Sequence, residues 1–308
     1  MAKIAVLFPG QGSQYLGMGR EFFDSADWAR DIFALAEKAS GLPIQRLCFE
    51  GPLDELTQTV NLQPAVVAVD LVCWQALSRA GVEPLAVAGH SLGEYPALVA
   101  CGALEAGKCL ELVSLRGRLM DREARAHPGA MAAIMGKTPQ EVAQLTEQVE
   151  GVVQPANFNA PAQTVITGAK QAVAAACKLA KEQGAKAIPL KVSGAWHSPL
   201  MEAAGVEMGQ ALDQVELAAP RCLHLPNTTG RPTRDPAEIK AELKKQLTSP
   251  VRWVQSLQAL LDLGVEVFIE CGPKKVLAGL VKKTAPSGVK VLNLENPQDL
   301  EQILAELG

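Results

Sequence analysis

A serine between two glycines is the residue of this sequence best placed for nucleophilic chemistry. Ser91 lies in the segment GHSLG at residues 89–93, after an apolar run and before a segment that favours a helix. This pattern is typical of a nucleophile elbow, a tight turn that presents the serine hydroxyl above the end of a strand. The flanking glycines are expected to allow positive φ and close backbone approach. The main-chain N–H of Leu92, at the start of the helix, would then point to where an oxyanion forms.

A second glycine-rich turn follows the first predicted strand. Residues 3–8 read KIAVLF, an apolar run after Lys3 that includes the β-branched Ile4 and Val6, and residues 9–14 read PGQGSQ. The turn lacks the lysine with which a P-loop reaches nucleotide phosphates, so phosphate binding is not expected. Two interpretations stay open. It is a plain turn, or main-chain N–H groups near Gln11 line a pocket at the carboxyl end of the strand, where ligands of open α/β sheets bind.

A serine nucleophile needs a base that takes its proton, and the sequence contains four histidines. His90 is adjacent to Ser91 on a turn and poorly aimed at it, so we expect it to line the pocket. His127 precedes a proline at a predicted hinge, and His224 lies within an apolar strand. His197 lies between the end of a predicted strand and the next helix, where active-site residues of α/β proteins converge. Its position alone leaves a structural role equally open.

The elements that must position these residues alternate between strand and helix along most of the chain, as in a parallel sheet. Strands are predicted at 3–8, 84–88, 223–226, 265–270 and 289–292, and helices at 27–39, 63–80 (with Pro64 in its first turn), 91–101, 106–122, 199–217, 236–246, 276–283 and 297–307. Residues 129–192 have the order βαββαβ, which is typical of a ferredoxin-like unit. The predicted fold is α/β, with a mainly parallel core at 1–126 and 195–308 and an inserted ferredoxin-like subdomain at 127–194.

Composition excludes several classes of protein. The 308 residues are 48% hydrophobic and 20% charged, as in an ordinary globular protein. A net charge of -4 argues against a nucleic-acid binder. No apolar run reaches the ~20 residues of a membrane span, and the first apolar run is too short for a signal peptide. Seven cysteines without a Cys-x-x-Cys pair indicate a reducing compartment, and four histidines without ligand spacing predict no structural metal.

Six short segments, in this order, resemble those of malonyl-CoA:acyl carrier protein transacylases and of the acyltransferase domains of polyketide and fatty acid synthases. They are FPGQGSQ (8–14), GHSLGE (89–94), LRG (115–117), ANFN (156–159), WHSP (196–199) and ECGPKKVLAGL (270–280). The resemblance spans nearly the whole chain. It implies a hydrolase-like α/β core that carries a ferredoxin-like insertion.

The resemblance also assigns roles to individual residues. It makes Ser91 the nucleophile and His197 its base, and it places the oxyanion on the main-chain N–H groups of Gln11 and Leu92. The main-chain carbonyl of Gln246 would orient the histidine, with no triad carboxylate. Because a thioester has a good leaving group, a dyad with a preorganised oxyanion hole is expected to suffice.

Arg116 stands at the position that binds the malonyl carboxylate in the family. A buried carboxylate needs a cation, and arginine can meet it with two parallel hydrogen bonds. Arg118 and Arg122 are competitors on the same predicted helix, for which a solvated surface charge is the expected role.

Three further side chains are expected to line the substrate pocket, namely His90, Asn159 and Trp196. Malonyl-selective relatives commonly carry phenylalanine before the catalytic histidine, and methylmalonyl-selective ones a small residue. Trp196 departs from both, and its bulk predicts exclusion of α-branched acyl groups.

The resemblance implies malonyl-CoA and an acyl carrier protein as partners, and no bound cofactor or metal. We expect a monomer that acts in the cytoplasm without a nucleic-acid or membrane partner. A basic rim that includes Lys186 and Lys191 would suit an acidic carrier protein. Two alternatives are a thioester hydrolase on the same scaffold, in which water replaces the second thiol, and a non-catalytic carrier-binding module. Arg116 argues against the first, because neutral acyl groups need no buried cation; its presence together with Ser91 and His197 argues against the second.

Overall fold

The computed structural model describes residues 2–308, which form two sheets and the helices around them. The strands are β1 (Ile4–Phe8), β2 (Ala86–Gly89), β3 (Gly129–Met135), β4 (Val153–Ala160), β5 (Gln163–Ala169), β6 (Lys186–Pro189), β7 (Leu223–Leu225), β8 (Val267–Cys271) and β9 (Lys290–Leu294). The larger sheet has the order β7-β2-β1-β8-β9, and all its pairs are parallel. The smaller sheet has the order β4-β5-β3-β6, and its pairs are antiparallel.

Helices cover both faces of the larger sheet and one face of the smaller. They are α1 (Arg20–Ser25), α2 (Asp27–Ser40), α3 (Ile44–Phe49), α4 (Leu53–Thr57), α5 (Thr59–Arg79), α6 (Glu94–Ala100), α7 (Ala106–Ala126), α8 (Pro139–Glu147), α9 (Lys170–Glu182), α10 (Glu202–Asp213), α11 (Pro236–Lys245), α12 (Trp253–Asp262), α13 (Val276–Thr284) and α14 (Pro297–Leu307). Short 3₁₀ turns occur at Ser91–Gly93 and Pro199–Met201.

Strand β1 shows why the larger sheet is buried on both faces. Its five residues are all apolar and all buried. Alternate side chains enter two different cores: Val6 packs in the core that contains α5, and Leu7 packs in the core that contains α12 and α13. A parallel sheet covered on both faces needs such continuous apolar strands, so the sequence pattern and the sheet type agree. The predicted α/β fold class is confirmed.

The smaller sheet belongs to the segment with the predicted βαββαβ order. β3, α8, β4, β5, α9 and β6 follow one another, and Ile134, Ile166 and Val173 belong to a core of their own. Thr138 and Glu141 form the capping box that starts α8. The bounds 127–194 for this unit remain a prediction.

Three predicted helices differ in the structure, and four short helices were not predicted. α5 begins at Thr59, so Pro64 lies inside the helix and not in its first turn. Proline removes only one main-chain hydrogen bond there, and burial of the surrounding apolar residues outweighs that loss. The helix predicted at 91–101 is a 3₁₀ turn followed by α6, and the helix predicted to reach 217 ends at Asp213. No helix was predicted at the positions of α1, α3, α4 and α12.

α5 is long and apolar enough to cross a membrane by length and composition. However, 89% of its apolar window is buried inside the protein, where it packs against α7. It is a central core helix of the larger unit.

Pairing between β1 and β2 brings the two glycine-rich turns together. Phe8 pairs with Gly89, so both turns leave the sheet at its carboxyl edge. A Cβ atom on Gly10 would lie 2.5 Å from the carbonyl oxygen of His90. Only glycine permits this approach, and the turn at 9–14 therefore lies directly against the predicted elbow.

Candidate active site

Ser91 occupies a strained turn at the carboxyl end of β2. Its φ is 53°, in the left-handed region that side chains disfavour. The expectation of positive φ at the flanking glycines is wrong: Gly93 has φ -63°, and the strain falls on the serine itself. The glycines serve close approach instead. A Cβ atom would lie 1.8 Å from the Gly93 carbonyl oxygen if placed on Gly89, and 2.1 Å from the Phe8 carbonyl oxygen if placed on Gly93.

His197 meets Ser91 at hydrogen-bond distance. The Nε2 atom lies 2.8 Å from the Ser91 hydroxyl oxygen, while Nδ1 lies 2.9 Å from the carbonyl oxygen of Gln246 and 3.1 Å from that of Ser249. Both carbonyls can only accept, so Nδ1 carries the proton and Nε2 is the acceptor for the serine proton. His197 is itself left-handed, with φ 60°. Two neighbouring strained residues thus face each other across one hydrogen bond.

The ring of His197 is held neutral. Burial lowers its pKa, and the nearby charge of Arg116 lowers it further, to about 3, although the carbonyls of Gln246 and Ser249 act in the opposite direction. At neutral pH the imidazole is therefore unprotonated, the state that a general base requires.

Two residues that line the cavity have main-chain N–H groups without an acceptor in the described part of the chain. Gln11 and Leu92 both line the cavity that contains Ser91. Within residues 2–308 neither N–H donates a hydrogen bond to another protein group. The Ser91 N–H differs, because it donates to Asn227 Oδ1 at 2.6 Å. The two free donors match the pair expected for an oxyanion hole.

Arg116 brings a buried positive charge to the same cavity. Its side chain is 1% exposed, and its guanidinium donates to the side-chain oxygens of Gln63 (3.0 Å), Gln246 (3.0 Å) and Ser91 (3.2 Å). Among residues 2–308 no carboxylate forms a salt bridge with it, and its Nε has no hydrogen-bond partner. Burial lowers the pKa of Arg116, but arginine stays charged. The charge of buried Glu94 acts on Arg116 from nearby but forms no salt bridge with it, so the guanidinium keeps a donor for an anionic ligand.

The competing arginines lie elsewhere. Arg118 is exposed, and Arg122 forms surface ion pairs with Glu123 and Glu207, each at 2.7 Å. The competing histidines are also distant from Ser91: His127 is exposed, and His224 is buried 3.5 Å from Glu94.

The cavity has a volume of about 170 Å³ and lies between the elbow and the smaller sheet, whose residues line part of it. His90 Nε2 lies 2.8 Å from Asn159 Oδ1, which joins the elbow to β4. The His90 ring also packs edge-on against Trp253. Trp196 is buried in the cavity wall, and its Nε1 has no partner within the described part of the chain. The rest of the wall is largely apolar: Met120, Met131, Val165, Leu190, Val192, Val276, Leu277 and Leu280.

Several polar side-chain contacts behind Ser91 were not predicted from the sequence, which assigned a role only to the main-chain carbonyl of Gln246. The Gln246 side chain donates to the Ser91 carbonyl oxygen (2.9 Å) and to Glu94 Oε2 (2.6 Å). Asn227 and Gln63 contact Ser91 and Arg116 respectively. A signal was present for two of them. Glu94 is a charged residue in an apolar stretch right after the elbow, and Asn227 follows an apolar strand of the parallel sheet.

Metal binding has no support in the described residues, which contain no cluster of three or more metal-ligating side chains. Lys186 and Lys191, expected in a basic rim, are exposed on either side of the cavity residue Leu190.

Known proteins share both the sequence and this architecture. The acyl transferase domain family matches residues 6–300. A malonyl CoA-acyl carrier protein transacylase of Bacillus subtilis is 42% identical, over 100% of this chain and 98% of the relative. The transacylase of the same name from Escherichia coli K12 is 38% identical, over 92% of this chain and 93% of the relative.

Solved structures agree with these matches. An acyl carrier protein S-malonyltransferase from Vibrio cholerae superimposes with a TM-score of 0.93 at 38% identity, covering 98% of this chain and 100% of that one. A malonyl-transacylase in complex with its type II polyketide synthase acyl carrier protein has a TM-score of 0.95 at 33% identity, covering 99% of this chain and 100% of that one.

Proposed function

We propose that Ser91 carries a malonyl group from coenzyme A to an acyl carrier protein, in a chain that belongs to the acyl transferase domain family and is one of its malonyl-CoA:acyl carrier protein transacylases. The resemblance noted in the sequence is confirmed by the full-length matches. The relatives named above are transacylases, and neither the hydrolase nor the non-catalytic alternative is named among them.

The first half-reaction forms an ester on Ser91. His197 Nε2 takes the hydroxyl proton while Oγ attacks the thioester carbonyl of malonyl-CoA. The negative charge on the carbonyl oxygen is stabilised by the N–H groups of Gln11 and Leu92. The carbon–sulfur bond then breaks, and the coenzyme A sulfur leaves with the proton from His197.

The second half-reaction runs through the same groups. The pantetheine thiol of the carrier protein gives its proton to His197 and attacks the Ser91 ester. The carbon–oxygen bond breaks, and Ser91 Oγ takes the proton back. The carbonyls of Gln246 and Ser249 hold the imidazole in the required tautomer throughout, which supports a dyad without a triad carboxylate.

The observation that carries the choice of malonyl is the buried guanidinium of Arg116, which lies 3.2 Å from Ser91 Oγ. An acyl group on Ser91 places its far end within a few ångströms of that oxygen. The malonyl carboxylate would form the direct ion pair that Arg116 lacks, with the unpartnered Nε as one available donor. Asn159, His90 and Trp196 would shape the rest of the acyl site.

The wider assignments are part of the same proposal. The enzyme works without a bound cofactor or metal, as a cytoplasmic monomer with no nucleic-acid or membrane partner. Residues 127–194 form the inserted subdomain, and 1–126 with 195–308 form the core. Lys186 and Lys191 belong to the surface that the acidic carrier protein approaches.

Intact-mass measurement tests the proposal directly. The protein is incubated separately with malonyl-, methylmalonyl- and acetyl-CoA and then weighed. We expect a mass gain of one malonyl group with malonyl-CoA, none in Ser91→Ala, and loss of the adduct when carrier protein with its pantetheine arm is added. An unchanged gain in Ser91→Ala would sink the mechanism, and an adduct that water removes as fast as the carrier would favour a hydrolase.

A further inference from the structure

Asn227 makes an unusual pair of contacts with the elbow. Its side-chain oxygen accepts the Ser91 N–H at 2.6 Å, and its side-chain nitrogen donates to the Gly89 carbonyl oxygen at 2.6 Å. The side chain therefore bridges the residues on either side of His90. Asn227 is 1% exposed, so water does not compete for these bonds.

The register of the larger sheet explains the pair. β2 and β7 pair in parallel as Ala86 with Leu223, Val87 with His224 and Ala88 with Leu225. The same register, continued past the end of both strands, places Asn227 opposite His90. In a parallel ladder a residue donates to the carbonyl before its partner and accepts from the N–H after it. The Asn227 side-chain amide makes this pattern in place of a peptide group.

The backbone ladder does not continue here. The Asn227 N–H donates to Glu94 Oε2 and its carbonyl accepts from the Arg252 N–H, so neither main-chain group pairs with β2. The elbow also turns sharply, so Ser91 no longer follows the strand direction. A side chain can reach across the gap that a backbone leaves, and asparagine carries both a donor and an acceptor.

The backbone of Asn227 is fixed from two sides. Its N–H donates to Glu94 Oε2 at 3.3 Å, and its carbonyl accepts from the Arg252 N–H at 2.8 Å. Glu94 also accepts from Gln246, whose own carbonyl orients His197. We call the two side-chain bonds of Asn227 to Ser91 and Gly89 the clamp. Through Glu94 and Gln246, the clamp is connected to the carbonyl that orients His197.

We propose that Asn227 is a positioning residue, which extends the β2–β7 ladder by one side-chain pair and so holds Ser91 in its left-handed conformation. The bond to the Ser91 N–H has a second effect, because it turns this donor away from the cavity and leaves Gln11 and Leu92 as the oxyanion donors. Asn227 touches no reacting atom. Its effect on rate comes through the aim of Ser91 Oγ.

The inference rests on the proposed function only in taking Ser91 as the nucleophile, so its test uses a probe that needs no malonyl group. A fluorophosphonate reacts with an activated serine: the oxygen–phosphorus bond forms, the phosphorus–fluorine bond breaks, and His197 takes the serine proton. Loss of about 1 Å in aim costs roughly 10²-fold in rate. We expect phosphonylation of Asn227→Ala to be slower by about that factor, with KM for malonyl-CoA within about twofold of the original.

Thr228→Val is the matched control. Thr228 is the next residue of the same turn, but its hydroxyl donates to Glu242 and not to the elbow. Removing that bond tests the turn without touching the clamp. The control is expected to react with the phosphonate at the original rate.

Asn227→Asp provides a second test that does not depend on how Asn227→Ala folds. An ionised carboxylate can accept the Ser91 N–H but faces the Gly89 carbonyl with a second acceptor. Once protonated, it donates to Gly89 and accepts from Ser91, as asparagine does. Burial raises the pKa of such a carboxyl above its ordinary range. The rate ratio of Asn227→Asp to the original protein is therefore expected to rise as the pH falls from 7 to 5.

Each result decides between the possibilities. A slow Asn227→Ala supports the clamp when Asn227→Asp either recovers its rate as the pH falls or reacts at the original rate throughout. A phosphonylation rate of Asn227→Ala within threefold of the original, or a ratio for Asn227→Asp that stays low from pH 7 to pH 5, would overturn it. A protein that reacts normally with the phosphonate but takes up no malonyl group would overturn the proposed function and not the role of Asn227.

Discussion

The two sheets present different surfaces to the cavity. At the carboxyl edge of the larger sheet, main-chain groups and buried polar side chains surround Ser91, and its N–H, hydroxyl and carbonyl oxygen each have a hydrogen-bond partner. The smaller sheet contributes mostly apolar side chains, among them Met131 and Val165, with Asn157 and Asn159 as polar residues. One surface fixes the reacting atoms, and the other bounds the space beside them.

This difference separates reactivity from the choice of acyl group. Changes at the edge of the larger sheet should slow transfer of every acyl group alike. Changes in the wall should alter the ratio between acyl groups. Arg116 could belong to either group, because it lies on α7 in the larger unit but also lines the cavity that would hold the acyl group. Its substitution therefore tests which residues set reactivity and which select the acyl group.

His197→Ala is expected to have the largest effect. A general base contributes about 10²–10⁴-fold, and the loss should be equal for malonyl-CoA and acetyl-CoA since both reactions need the serine proton removed. Rapid-quench measurement of the acyl-enzyme with each thioester gives the two rates. His127→Ala, which changes an exposed histidine, should leave both rates unchanged. A loss confined to one acyl group would contradict the separation.

Arg116→Ala should divide the two substrates. Removing one partner of a buried ion pair costs about 3–5 kcal/mol, so malonyl loading is expected to fall by roughly 10²–10³-fold while acetyl loading is relatively spared. Arg116 of the larger unit would then select the acyl group by its charge, and the apolar residues of the cavity wall would select it by its shape. The ratio of acyl-enzyme formed from malonyl-CoA and acetyl-CoA measures this.

Arg118→Ala is the control for that experiment, because Arg118 lies on the same helix but is exposed. Equal losses of malonyl and acetyl loading in Arg116→Ala would mean that the guanidinium holds Ser91 and Gln246 in place and does not select the substrate.

Trp196→Ala should widen the acyl site. One methyl group in an apolar pocket is worth about 1–3 kcal/mol, so the rate ratio of methylmalonyl to malonyl loading is expected to rise by roughly tenfold. The indole Nε1 has no partner within residues 2–308, so its removal breaks no hydrogen bond there. Competition between the two thioesters, read by intact mass, gives the ratio. Trp28→Phe, at a tryptophan that does not line the cavity, should leave the ratio of methylmalonyl to malonyl loading unchanged. An unchanged ratio in Trp196→Ala would mean that Trp196 does not exclude α-branched acyl groups.

Much of the fold could be predicted because its signals are local. Apolar strands such as 3–8, and the βαββαβ order of the insertion, are visible in the sequence. Pro64 was misplaced because a local rule, proline in the first turn, yields to the burial of a whole helix. α12 was missed since it begins without a side-chain cap, and its burial against the larger sheet appears only once the chain is folded.

The site shows the same division between local and distant signals. Ser91, Gln11 and Leu92 lie in turns that the glycine pattern of the sequence predicts. The position of His197 in the sequence did not decide between a structural role and that of the base, because its partner Ser91 comes from another part of the chain. The role of Asn227 depends on the register between β2 and β7, which are separated by well over a hundred residues, and no local pattern records that register.

The pH dependence should show the smallest change, and it tests whether the reactive edge is closed to water. A base must be unprotonated, and an exposed histidine with pKa about 6.5 would lose about 25-fold of its neutral form between pH 7 and pH 5. Burial and Arg116 lower the pKa of His197 to about 3, so its neutral form persists over this range. The value of kcat/KM for malonyl transfer, which reports the free enzyme, should therefore change by less than about twofold. Because Arg116 lowers this pKa, acetyl loading by Arg116→Ala should decline more steeply towards low pH than acetyl loading by the original protein. An apparent pKa near 6.5 in the original protein would mean that water reaches His197. The carboxyl edge of the larger sheet would then not be closed to water, and this part of the comparison between the two sheets would be wrong.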